Sequence, residues 1–198
     1  MKKILLLIML LIPFNVVAMS ASSMVAVDLD NDYVYFDANK DDKRLIASIT
    51  KIMTTIVTIE NIDIDKEITV GKAYGSVIYI NVGEKITIRD LLYGLIMRSG
   101  NDAAVVLAKN VAGSMEGFAH LMNELASNIG MKNSNFVNAH GLEENDGSAN
   151  YSTAYDMALI TKYAMNNKTF REIFGTKNYV AKSSDKTYRW TNKNKLLH

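Results

Sequence analysis

Residues 47–57 read ASITKIMTTIV, and Ser48 and Lys51 stand three positions apart at the head of this apolar run. Side chains at i and i+3 share one face of a helix, so the spacing predicts that the two polar groups meet. A serine hydroxyl becomes an effective nucleophile when a base takes its proton, and a neutral lysine can be that base. Burial lowers the pKa of a lysine, and the positive end of the helix dipole acts in the same direction. The stretch therefore predicts a nucleophile and its base.

The same run predicts a helix from about Ser48 to about Asn61. Because it is apolar nearly all round, we expect this helix at the centre of the fold. The neighbours expected to bury the lysine are Ile49, Ile52, Met53 and Ile56. An alternative is a serine at the helix N-cap followed by a lysine that reaches solvent. Ser183 and Lys186 have the same spacing in a polar stretch typical of a hairpin turn, so the spacing alone does not decide between these alternatives.

Composition narrows the classes of function. The 198 residues carry a formal net charge of +1 and no long charge run, which argues against nucleic acid as a partner. Cysteine is absent, so disulfides, thiol catalysis and Cys-ligated zinc are excluded. With three histidines, a histidine-rich metal site is not expected, and no cofactor is predicted.

The N-terminal residues have the pattern of a secretory signal. Lys2 and Lys3 precede the apolar stretch 4–12, and Val16-Val17-Ala18 offers small residues at a cleavage site. We interpret residues 1–18 as a cleavable signal peptide and residues 19–198 as one domain. The alternative, a membrane anchor, is disfavoured because nine apolar residues precede Pro13, whereas a span needs roughly 20. The predicted location is extracytoplasmic, on the periplasmic or cell-wall side.

Strand and helix signals predict an α+β fold. Alternating apolar residues around polar turns predict a hairpin at residues 24–37 and another at residues 179–190. Short strands are predicted at residues 68–70, 77–80 and 85–88. Helices are predicted after three N-cap residues, which are Thr87, Ser114 and Thr153.

A second polar motif, Ser99-Gly100-Asn101, lies between two predicted helices. It can present a hydroxyl and a carboxamide together, because Gly100 lets the backbone turn tightly. Beside Ser48 and Lys51 such groups could relay a proton and hold a substrate amide. The alternative is ordinary capping, with Asn101 as the N-cap of the next helix. Ser148-Ala149-Asn150 has the same form, so this motif alone is not decisive either.

Taken in order, Ser48-x-x-Lys51 and Ser99-x-Asn101 resemble the first two elements of penicillin-recognising enzymes. The wider pattern resembles the low-molecular-mass, serine-type D-alanyl-D-alanine carboxypeptidases of peptidase family S11. The resemblance covers roughly residues 25–190. Its further motifs are Gly83-Glu84, Asp90-Leu91-Leu92-Tyr93-Gly94-Leu95, Asp102-Ala103, Leu107-Ala108, Phe118, Met122-Asn123, Gly130-Met131 and Phe136-x-Asn138-x-His140-Gly141-Leu142.

The resemblance implies a helical lobe beside an antiparallel sheet, and hydrolysis of the D-Ala-D-Ala end of peptidoglycan stem peptides. By the family's pattern Ser48 is acylated, Lys51 is its base, and Ser99 passes a proton to the leaving D-alanine. Asn101 would bind the substrate backbone, and β-lactams would trap the acyl-enzyme. His140 resembles a substrate-binding position near the site, with a local structural role as the alternative. Asp102 and Asp156 are expected to be caps or buried partners.

The third element of the family, Lys-Thr-Gly or Lys-Ser-Gly, does not occur in the sequence. The resemblance therefore implies a C-terminally truncated domain that lacks sheet strands, with open strand edges and an uncovered apolar helix. Membrane association is expected only through a missing C-terminal segment. The alternatives are an inactive remnant or a fragment that binds peptidoglycan or a partner without catalysis. A β-lactamase fits less well, because the pattern after Ser99 follows the carboxypeptidases.

Overall fold

The computed structural model describes residues 21–28, 30, 31, 33–75 and 77–198. The predicted signal peptide, residues 1–18, lies outside these ranges. Within the described ranges no helix is both long and apolar enough to cross a membrane.

The described chain combines six α-helices with short antiparallel strand pairs, so the predicted α+β class is confirmed. The helices are α1 Lys51–Asn61, α2 Ile88–Arg98, α3 Asn101–Ala112, α4 Met115–Asn128, α5 Ala154–Met165 and α6 Lys168–Gly175. The strands are β1 Met24–Val27, β2 Val34–Ala38, β3 Arg44–Leu45, β4 Glu67–Thr69, β5 Lys85–Thr87, β6 Tyr151–Ser152, β7 Asn178–Lys182 and β8 Thr187–Thr191. They pair as β1–β2, β3–β6, β4–β5 and β7–β8, which makes four two-stranded sheets in this part of the chain.

Helix α1 is the centre of the fold, as its apolar sequence predicts. Met53, Ile56 and Val57 are fully or almost fully buried, and the helix packs against all five other helices described above. The prediction that an apolar helix would be left uncovered is therefore wrong for α1. Exposed apolar side chains occur instead at other places, among them the first hairpin and β3. Examples there are Tyr33, Tyr35, Phe36 and Leu45.

The capping residues read from the sequence are confirmed. Thr87 accepts a hydrogen bond from the Asp90 amide, which begins α2, and Ser114 and Thr153 begin α4 and α5 in the same way. The alternative that Asn101 is only a helix N-cap is wrong, because Gly100 is the N-cap of α3 and Asn101 is the first helical residue. The Asn101 side chain is thus available for other contacts.

Residues 77–80 do not form the predicted strand. The amides of residues 77–79 point to the Asp102 carboxylate, so they are not available for a strand ladder. The hairpins at both ends of the described chain are confirmed as β1–β2 and β7–β8. The Ser183–Lys186 stretch is the turn between β7 and β8, as its polar sequence predicts.

Candidate active site

Ser48 and Lys51 come together, although not on a single α-helix. Ser48 lies in a 3-10 turn, Ala47–Thr50, and Lys51 is the first residue of α1. The Lys51 Nζ is 3.1 Å from the Ser48 Oγ. Ser48 is exposed whereas Lys51 is 3% exposed, so an accessible hydroxyl lies beside a buried amine. This is the geometry that a nucleophile and its base require.

Burial lowers the pKa of Lys51 from 10.5 to about 8. With this pKa, roughly a tenth of the amine is neutral at pH 7, and the neutral form is the one that a general base requires. The sequence prediction attributed the burial partly to Ile49, and that part is wrong because Ile49 is 53% exposed. Ile52 is half-buried, and Met53 and Ile56 are fully buried, as predicted.

Two further oxygens contact the Lys51 amine. It donates to the Asn101 Oδ1 at 2.9 Å and to the backbone carbonyl oxygen of His140 at 2.7 Å. Both oxygens can only accept, so together they use the two N–H groups of a neutral amine. Its lone pair is then left for the hydroxyl proton of Ser48. The two oxygens therefore fix the orientation of the amine.

Ser99 lies at the end of α2, where it adopts a left-handed backbone with φ 63°. With Ser48 and Lys51 it lines an open cavity of about 360 Å³. The other walls are mostly apolar. They are formed by Ile49, Ile52, Leu95, Ile96, Phe174, Asn192, Lys193 and Asn194. Ser48, Lys51, Ser99 and Asn101 are thus all brought to one place.

His140 reaches the site through its backbone and not through its ring. The imidazole is 2% exposed, and its Nδ1 accepts a hydrogen bond from the Leu142 amide at 3.0 Å. Its Nε2 has no hydrogen-bond partner among the described residues, and Glu144 Oε1 lies 3.6 Å away. Burial lowers the pKa of His140, which favours the neutral ring. A substrate contact by the imidazole is not evident from this placement.

The backbone around His140 is held by groups that sequence reasoning missed. Asn150 is 1% exposed, accepts from the amides of Val137 and Asn138, and donates to the Thr50 Oγ1. Asn150 belongs to the second Ser-x-Asn motif of the sequence, and here it is a buried support. No local sequence signal marks this role, because the partners lie 12 and more residues away.

Gly141 packs directly against the turn that carries Ser48. It has φ +83°, and a Cβ at this position would lie 1.9 Å from the Ala47 carbonyl oxygen. Ala47 itself has a left-handed backbone, with φ 44°. The glycine was visible in the sequence, but its contact with the turn was not.

The described residues contain no cluster of three or more His, Asp or Glu side chains that could hold a metal ion. The side chains that meet at the site supply a hydroxyl, an amine and a carboxamide. Such a set supports acyl transfer through a covalent serine intermediate.

Comparison with known proteins gives consistent results. The sequence profile of a family described as D-alanyl-D-alanine carboxypeptidase, Peptidase S11, matches residues 13–198. DacF of Bacillus subtilis, a D-alanyl-D-alanine carboxypeptidase by name, is 35% identical over 190 residues, covering 91% of this chain and 48% of DacF. DacC of Escherichia coli, with the same description, is 38% identical over 160 residues, covering 73% of this chain and 39% of DacC.

Among solved structures, the Streptomyces K15 DD-transpeptidase is similar, with a TM-score of 0.83 and 35% identity. The similarity covers 90% of this chain and 76% of that one. The chain spans about half the length of DacF, or less for DacC.

Proposed function

The chain belongs to the D-alanyl-D-alanine carboxypeptidase family, Peptidase S11, and on this premise we propose that it removes the terminal D-alanine from peptidoglycan stem peptides. The observation that carries the proposal is the contact of the exposed Ser48 hydroxyl with a buried lysine amine, at 3.1 Å. The curated relatives DacF and DacC are named for this reaction.

The reaction begins when the Ser48 Oγ attacks the carbonyl carbon between the two D-alanines. The Ser48 proton passes to the neutral amine of Lys51, whose other two hydrogens are held by Asn101 and His140. Ser99 lines the same cavity and passes a proton to the nitrogen of the leaving D-alanine. Water then cleaves the ester on Ser48. In the acylation half, Lys51 passes the Ser48 proton to Ser99, where it replaces the proton that Ser99 gave to D-alanine. In the hydrolysis half, the neutral Lys51 takes a proton from the attacking water and returns it to the Ser48 Oγ as the ester bond breaks.

Asn101 has two tasks in this scheme. Its Oδ1 accepts from Lys51, so its side-chain N–H₂ group is free to donate to the substrate backbone. His140 contributes its carbonyl oxygen, and its ring supports the neighbouring turn through Leu142. β-Lactams, which mimic the terminal dipeptide, are expected to acylate Ser48.

The absence of Lys-Thr-Gly lowers the activity that we expect from these 198 residues. By the family's pattern this element supplies a cation and an oxyanion-hole amide, and losing one such donor typically costs about 10²–10³ in rate. The proposed working compartment is outside the cytoplasm. Residues 1–18 provide the export signal in this proposal.

The test is labelling with a fluorescent penicillin, followed by detection of the modified peptide by mass spectrometry. We expect weak labelling at Ser48 in these 198 residues, and none in Ser48→Ala. Stronger labelling is expected from a longer homologous chain that contains Lys-Thr-Gly. Labelling retained in Ser48→Ala would contradict the assignment of the nucleophile. A folded chain that does not label at any penicillin concentration would favour the non-catalytic remnant.

A further inference from the structure

Asp102 is a buried carboxylate that the reaction scheme does not use. It is 3% exposed and lies in the first turn of α3, next to Asn101. Its Oδ2 accepts from the amides of Val77 and Tyr79, at 3.4 and 2.8 Å. The Ile78 amide lies 3.2 Å from the same oxygen, and the Ala103 amide 3.0 Å from Oδ1. Backbone amides thus compensate this buried charge.

The three amides belong to a tightly held stretch, residues 77–79, which we call the amide loop. Tyr79 has a left-handed backbone, φ 59°, which is unfavourable for a residue with a Cβ. The Lys186 Nζ donates to its carbonyl oxygen at 2.7 Å. Ile78 is 5% exposed and fits where Gly94 and Gly100 leave room. The amide loop is therefore held from several sides.

This region of the chain lies directly against Asn101. A Cβ on Gly75, φ +75°, would lie 3.0 Å from the Asn101 Cβ, which leaves little space between them. A Cβ on Gly100 would lie 3.1 Å from the Ile78 Cγ2. Asn101 in turn accepts from Lys51 at 2.9 Å. The amide loop therefore approaches Gly100, which precedes Asn101, and Gly75 just before the loop approaches Asn101 itself, whose Oδ1 contacts Lys51.

We propose that Asp102 is a positioning residue, which fixes the amide loop against Asn101 and thereby holds the Asn101 carboxamide in the orientation that Lys51 needs. The proposal rests on the function proposed above. It assigns to Asp102 a task beyond stabilising its own helix. In contrast, a simple cap would affect stability and leave the chemistry of Ser48 unchanged.

Asp156 provides a matched control. It is 2% exposed, lies in the first turn of α5, and accepts from the Asn133 amide at 2.7 Å and from the Ser134 hydroxyl at 2.8 Å. None of these partners lines the cavity that contains Ser48. Asp156→Asn should therefore disturb a comparable buried carboxylate without reaching Asn101.

The experiment compares the rate of Ser48 labelling by a fluorescent penicillin in Asp102→Asn and Asp156→Asn. In Asp102→Asn, the new N–H₂ group or a neutral oxygen would face several amide donors, so the amide loop should loosen. A misplacement of about 1 Å can cost up to about 10²-fold in rate. We expect a decrease of about 10-fold or more for Asp102→Asn and less than about twofold for Asp156→Asn. Equal decreases would overturn the proposal.

A double-mutant cycle with Asn101→Ala tests whether Asp102 acts through Asn101. If it does, Asp102→Asn should add little to the defect of Asn101→Ala. Rate losses that multiply would show that the two residues act independently, and would overturn the proposal.

If Asp102→Asn does not fold, Gly75→Ala tests whether a shift of the chain next to the amide loop disturbs Asn101. The added methyl group would press on the Asn101 Cβ. Gly130→Ala is its control, because Gly130 has φ +85° and no neighbouring heavy atom within 4 Å of the place that its new methyl group would occupy. We expect slower labelling in Gly75→Ala alone. Equal rates in these two variants would contradict the proposal.

One measurement does not depend on activity. In NMR spectra of the folded chain, the side-chain N–H₂ resonances of Asn101 should shift or broaden in Asp102→Asn and stay unchanged in Asp156→Asn. If the wild-type chain does not label, this result still decides whether Asp102 positions Asn101. Unchanged Asn101 resonances in Asp102→Asn would overturn the positioning role and leave the proposed function untouched.

Discussion

The carbonyl oxygen of His140 lies 2.7 Å from the Lys51 Nζ, so the backbone of His140, and not its imidazole, contacts the lysine amine. A carbonyl has no titratable proton and is held by the surrounding chain. It therefore presents an acceptor to Lys51 at every pH, and the titration that matters for the proposed chemistry is that of the lysine itself.

The first prediction concerns the pH dependence of acylation. Lys51 acts as a base only when it is neutral, and burial lowers its pKa to about 8. The rate of penicillin labelling should therefore rise about tenfold per pH unit below this pKa and level off above it. The measurement is the initial labelling rate across a pH series in which the fold is stable. A rate that is flat across this range would show that Lys51 is not the base.

The second prediction concerns stability and uses Lys51→Met as the reference. The folded pKa of Lys51, about 8, is below the value of 10.5 expected for the unfolded chain. Between these values the unfolded chain binds more protons, so the lysine's contribution to stability increases as the pH rises. The free energy of unfolding of the wild type should therefore improve relative to Lys51→Met from about pH 8 to about pH 10.5. Denaturant titrations at several pH values test this, and a constant difference would contradict it.

The third prediction concerns Gly141. In Gly141→Ala the methyl group would collide with the Ala47 carbonyl oxygen, at 1.9 Å, and the backbone at φ +83° would be strained. Gly147→Ala has the same strain, φ +82°, and open space. We expect Gly147→Ala to lower the free energy of unfolding by about 1–2 kcal/mol. For Gly141→Ala we expect a decrease of about 3 kcal/mol or more. Chemical denaturation measures both, and equal costs would show that the turn at Ala47 can move aside.

The site combines groups that the sequence could predict with groups that it could not. That Ser48, Lys51, Ser99 and Asn101 lie together could be predicted from the spacing of the two motifs, their order along the chain and the family resemblance. The carbonyl of His140 and the support from Asn150 were not found, because they depend on contacts between residues 89 and 100 positions apart. Backbone groups also carry no side-chain signal.

In the fold, too, features set by local sequence patterns were predicted and a feature set by a distant contact was not. The cap residues and both hairpins follow from local patterns, and the structure confirms them. The strand expected at residues 77–80 is absent because a distant carboxylate, Asp102, takes its amides. Apolar alternation alone could not reveal this competition for backbone hydrogen bonds.

A buried pair of polar side chains connects the chain before α2 to the last hairpin. The Tyr188 hydroxyl donates to the Glu84 Oε1 at 2.7 Å, and the Asn81 amide donates to Oε2 at 2.9 Å. Glu84 is fully buried, and burial together with this carboxylate raises the pKa of Tyr188. The hydroxyl therefore remains protonated and available as a donor.

The fourth prediction is that Tyr188→Phe destabilises the fold, because it removes a donor from a carboxylate that water does not reach. Leaving a buried polar group without its partner costs about 1–3 kcal/mol, and more for a charged one. Tyr163→Phe is the matched control, because the Tyr163 hydroxyl donates to Glu60 at 2.8 Å on the surface. We expect this substitution to lower the free energy of unfolding by less than about 0.5 kcal/mol. Denaturant titrations of the wild type and both variants measure these losses, and a loss for Tyr188→Phe no greater than that for Tyr163→Phe would mean that Glu84 has other compensation.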